Sequence, residues 1–102
     1  MNPHDIMDYI FAQAETRLIH IDKLIENTTS KSCLNSCEII FKIIKKDVKK
    51  SSPYIPEKDE VLKINNKIKI IDQKLRTFQK MTISEFHKYH CHRILAIQHS
   101  KK

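Results

Sequence analysis

The chain has 102 residues, 40% of them hydrophobic and 30% charged, with a formal net charge of +7. That length supports one small core and no second domain, and the composition excludes a disordered tail or a membrane protein. No apolar run nears the roughly 20 residues that span a bilayer, and glycine is absent, which excludes primed-turn hairpins and phosphate-cradling loops.

The pattern predicts an all-α, up-down-up-down four-helix bundle in a single domain over 1–102, with helices at about 3–27, 32–49, 57–80 and 83–100. Asn2 before Pro3, with Asp5 following, forms a start signal. Ile6, Ile10, Ala14, Leu18, Ile21 and Ile25 then recur at helical spacing. Asn27-Thr28-Thr29-Ser30 ends the first helix and caps the second, whose stripe is Cys33, Cys37, Ile40, Phe41, Ile44 and Val48. Pro53 and Pro56 break the chain, and Pro56 opens the third helix. There Val61, Ile64, Ile68, Ile71, Leu75 and Phe78 follow the 3-4-3-4-3 rhythm of a bundle seam. Thr82-x-x-Glu85 fits a capping box, so a tight turn is expected before the fourth helix. Its expected stripe is Ile83, Phe86, His87, His90, Ile94 and Ile97.

Three cysteines and six histidines offer the sharpest chemistry. Cys33 and Cys37 stand one turn apart, so both point the same way. His87, His90 and Cys91 are expected on the inward face of the fourth helix, whereas His92 and His99 point outward. The second and fourth helices run parallel in an up-down bundle, so the two sets would share one end and one height. Two thiolates plus His87 and either Cys91 or His90 suit a tetrahedral, structural Zn²⁺ site. Free cysteine also packs as a small hydrophobe, so a packing role stands beside the zinc reading. No open coordination position or nearby carboxylate suggests metal-dependent catalysis, and a non-enzymatic chain is expected. An odd cysteine count and a start unlike a signal peptide point to a reducing intracellular compartment, cytoplasmic or nuclear. Cys33-x3-Cys37 looks like half of the twin CX3C pattern of the small mitochondrial translocase chaperones, but no second CX3C follows.

Charge is uneven along the chain. Residues 1–30 carry two basic and five acidic side chains, and residues 31–102 carry seventeen and seven. Lys45, Lys46, Lys49, Lys50, Lys101 and Lys102 are expected at one pole, with Lys63, Lys67 and Lys74 along the outer face of the third helix. Such lysines would hold nucleic acid through its phosphates, without base readout, or an acidic protein surface. Tyr54 and Tyr89 could stack on bases nearby. The alternative expectation is a small structural or adaptor subunit of a larger complex. Met7, Phe11, Ile19, Ile39, Ile43, Leu62 and Ile70 flank the main stripes, and their exposure in the folded chain would mark a protein partner. Arg93-x5-His99 resembles the Arg-x4-6-His signature of HEPN-type ribonucleases, also helical bundles. That resemblance implies RNA cleavage, although on one continuous helix the two side chains would point about 120° apart.

Overall fold

A computed structural model of the chain describes residues 2–89. It is a small helical bundle, and no strand occurs among the described residues. Helix α1 runs Pro3–Asn27, α2 Lys31–Ser51 and α3 Lys58–Lys80; α4 is helical over 83–89, to the limit of the described residues.

Polar side chains punctuate these helices, as a chain without glycine requires. Asn2 accepts a 2.9 Å hydrogen bond from the Asp5 N–H, and Ser30 accepts one of 3.3 Å from the Cys33 N–H. Each satisfies a donor that the helix start leaves without a partner. Thr82 and Glu85 complete the reciprocal box: the Glu85 N–H donates to Thr82 Oγ1 at 3.1 Å, and the Thr82 N–H to Glu85 Oε1 at 3.4 Å. Among the described residues none takes a positive φ. At the other break, the Ser51 and Ser52 hydroxyls bond back to the carbonyls of Asp47 and Val48. They carry α2 to Ser51 and into a 3-10 turn at Ser52–Tyr54. Pro56 therefore lies just before the α3 N-cap, Glu57, rather than inside the helix.

Pairing between helices sets the topology. Arg17 meets Asp47 at 3.8 Å and the His4 ring meets Tyr54 at 5.6 Å, so α1 and α2 are antiparallel. Lys45–Asp72 and Glu38–Gln79 make α2 and α3 antiparallel. Lys74 reaches Asp22 at 2.9 Å and Glu26 at 2.7 Å, which places α1 and α3 side by side and parallel. Lys31 Nζ donates to the carbonyls of Gln79 and Met81, covering the open C-terminal end of α3 with a cation.

The core repeats one rhythm on three helices: Phe11, Ala14, Leu18, Ile21 and Ile25; Leu34, Cys37, Phe41, Ile44 and Val48; Ile64, Ile71, Leu75 and Phe78, with Val61 and Ile68 packed against it. Two of the expected stripes are rotated accordingly. In α1, Phe11 is buried, whereas Ile6 is exposed and Ile10 half-buried. In α2, Leu34 is 0% exposed and Ile40 44%, with Cys33 half-buried. The 3-4-3-4 spacing keeps one seam facing two neighbours along the whole helix, which a chain of i, i+4 steps cannot do because it drifts around the axis.

Candidate interaction surface

Of the expected zinc ligands, Cys33, Cys37 and His87 lie among the described residues. Cys37 is buried, and Cys33, one turn earlier, shares a thiol hydrogen bond with it. Burial first, and then the charge and hydrogen bond of Cys33, push the Cys37 thiol up from 9.0 to about 11, a neutral group in an apolar seam. His87 does not face the core: it is exposed. The reason is the aromatic cluster at the α3–α4 turn. Phe78 and Phe86 meet edge to face at 5.8 Å, and Tyr89 tilts onto Phe78 at 5.2 Å. These large rings set the inward side of α4, leaving His87 to solvent and Ile83 66% exposed. Among the described residues no three His, Cys, Asp or Glu side chains converge on a metal position. His90 and Cys91 lie outside the described residues, as do Arg93 and His99.

The basic residues divide as well. Lys45 is half-buried, paired with Asp72 at 3.8 Å and lying 4.8 Å from the centre of the Phe41 ring. Lys74 is engaged by Asp22 and Glu26, and its pKa is raised, first by the Glu26 hydrogen bond. Both lysines serve the fold. Lys46, Lys49, Lys50, Lys63 and Lys67 are exposed and form no ion pair among the described residues. Lys101 and Lys102 lie outside the described residues. Tyr54 is engaged by His4 and Tyr89 by Phe78, so both rings already have an aromatic neighbour.

Apolar side chains outside the core are the more informative feature. Of the seven that flank the expected stripes, Phe11 is buried and Met7 half-buried, while Ile19, Ile39, Ile43, Leu62 and Ile70 are all exposed. On α2 they concentrate. Ile39 is 63% exposed and Ile43 53%, and with Ile40 they form an i, i+1, i+4 triangle of neighbours. On a helical wheel Ile39 stands about 180° from the middle of the buried seam and Ile43 about 140°. Lys46 and Lys50 continue the same face by one and two further turns from Ile43, with Lys42 and Lys49 beside it. The two acids of α2 are occupied: Glu38 accepts from Gln79 at 2.8 Å and pairs with Lys42 at 3.7 Å, and Asp47 pairs with Arg17. The outer face of α2 is thus apolar at its middle and cationic toward its C-terminal end. A second apolar strip lies between α1 and α3, where Ile19 and Ile70 flank Lys67.

Comparison with known proteins returned no matching family model, no matching curated protein and no matching solved structure. Among the described residues no helix is long and apolar enough to cross a membrane.

Proposed function

We propose that this chain is a non-enzymatic helical interaction module, an adaptor or small subunit, which engages an acidic protein partner. The observation that carries this reading is the set of isoleucines left outside a filled core on α2, at Ile39, Ile40 and Ile43. Single exposed apolar residues are ordinary on any surface, but a contiguous group bordered by lysines that, Lys42 apart, form no ion pair among the described residues favours a protein contact. The lysines supply long-range attraction and orientation, and the isoleucines supply the desolvated centre. A nucleic-acid reading is less well supported, because Lys45 and Lys74 are committed to acids of this same chain. Apolar isoleucine surface also has no role against phosphates.

A photo-crosslinking residue at Ile39 tests the proposal, with the same residue at Asn66, an exposed polar position on α3, as control. In extract of the native host, position 39 is expected to give discrete protein adducts that position 66 does not. Equal adducts at both positions, or adducts to nucleic acid alone, would overturn it.

A further inference from the structure

The same α2 face has a complementary surface elsewhere on this chain. At the start of α1, Ile6 and Tyr9 are exposed, one turn apart, and Tyr9 is 64% exposed. Asp5, one turn before Tyr9, shares that outer face and Asp8 lies on its flank away from Ile6; both are exposed and form no ion pair among the described residues. One surface is apolar with unpaired carboxylates, the other apolar with unpaired ammonium groups.

Within one molecule the apolar halves of the two surfaces do not meet. The Arg17–Asp47 pair puts Ile43 level with about residue 21 of α1, so Tyr9 and Ile6 lie 12 to 15 residues away along the bundle. At 1.5 Å per residue that is roughly 18–22 Å. The outer face of α2 gains no charge complement from itself across two copies. A parallel contact would oppose lysine to lysine, and an antiparallel one would set Lys46 and Lys50 against the neutral Ser32 and Ser36.

We propose that a second copy of this chain docks the start of its α1 (Asp5, Ile6, Asp8, Tyr9) on the outer face of α2 (Ile39, Ile43, Lys46, Lys50). This inference rests on the same exposed α2 side chains as the partner reading and adds the chain itself as an occupant. Each copy carries one of each surface, so the contact either closes reciprocally across a two-fold axis or propagates into rings or short chains. The two isoleucines, 63% and 53% exposed, offer on the order of 200 Å² of apolar surface, below the roughly 800 Å² per partner of a stable complex. The association is therefore weak, concentration-dependent and sensitive to salt.

Sedimentation equilibrium of the full chain, from about 10 μM to 1 mM at low ionic strength, tests the contact in the range where weak association registers. The weight-average mass is expected to rise above the 12.1 kDa monomer with concentration and to return to it in about 0.5 M salt, where charge attraction is screened. A Lys46→Glu/Lys50→Glu chain and an Asp5→Lys/Asp8→Lys chain are each expected to stay monomeric, and an equimolar mixture of the two to associate again. Circular dichroism confirms that both variants keep their helix content. A wild-type monomer at 1 mM, association unmoved by either reversal, or no recovery on mixing would overturn the contact. Those results would leave crosslinking to other proteins at position 39 as a separate question.

Discussion

Replacing Leu34 and Ile40 singly by alanine asks which way α2 is turned, and with it whether the Ile39–Ile40–Ile43 group faces outward. Leu34 is 0% exposed in the seam between α1 and α3, whereas Ile40 keeps 44% of its surface in solvent. Leu34→Ala removes buried methyl groups and leaves a cavity, a cost of about 2–5 kcal/mol. Ile40→Ala removes partly solvated carbons with no enclosed cavity, and costs about 1 kcal/mol or less. In a domain of this size each kcal/mol moves the melting temperature by roughly 4–8 °C. Leu34→Ala should therefore lower the melting temperature by at least about 8 °C, and Ile40→Ala by less than about 8 °C. Urea denaturation followed by circular dichroism, at matched slope, gives the two free energies directly. Equal losses, or a larger loss at Ile40, would refute this rotation of α2 and the outward placement of Ile39 and Ile43.

Other expected outcomes follow from the same packing. Raising the pH from 9 to 11 should destabilise the fold: the Cys37 thiol is neutral up to about 11 when folded, while the unfolded thiol ionises above 9.0. Stability is full well below pH 9 and falls as pH rises across that window, because the unfolded state gives up the thiol proton first. Cys37→Val, measured by denaturation at both pH values under reducing conditions, should remove most of that slope. Lys74 adds to the loss at higher pH, because its folded pKa is raised and its contribution disappears as pH rises through that value. Lys31→Met should lower stability by about 1–2 kcal/mol in urea denaturation, since it uncovers the α3 carbonyls of Gln79 and Met81. Thr82→Ala should cost about 1 kcal/mol by the same measurement and increase amide exchange over the first turn of α4. EDTA tests the expected zinc site, two of whose candidate ligands, His90 and Cys91, lie outside the described residues: an unchanged melting temperature would remove it. A drop of several degrees in chelator would return the cysteine pair to a metal role.

The fold class was legible because its signals are local. Asn2, Ser30 and the Thr82–Glu85 box each fix a helix start with two or three residues, and the prolines mark the long break. The seam of α3 was legible because its 3-4 rhythm is unbroken from Val61 to Phe78. The same rhythm is present as Phe11-Ala14-Leu18-Ile21-Ile25 and as Leu34-Cys37-Phe41-Ile44-Val48. It was obscured by isoleucines at Ile6, Ile10 and Ile40 that extend plausible stripes of their own. An isoleucine-rich surface and an isoleucine-rich core look alike in composition, and only packing against a neighbouring helix separates them. His87 faces solvent for a related reason, since two aromatic side chains, and not the aliphatic Ile83, set the rotation of α4. The tasks of Lys31, Lys45 and Lys74 depend on partners 27 to 52 residues away and leave no periodic trace. That the outer apolar residues would discriminate a partner-binding chain was readable in advance; which of them remained outside was not.

The proposed function requires the outer face of α2 to be surface for a protein contact and not part of the interior. Its most direct test is an Ile39→Asp/Ile43→Asp chain, compared with the wild type for melting temperature and for sedimentation in native host extract. The variant should melt within a few degrees of the wild type and sediment as a free monomer, while the wild type travels in a heavier assembly. A variant that stays in that assembly, or that unfolds, would contradict the claim.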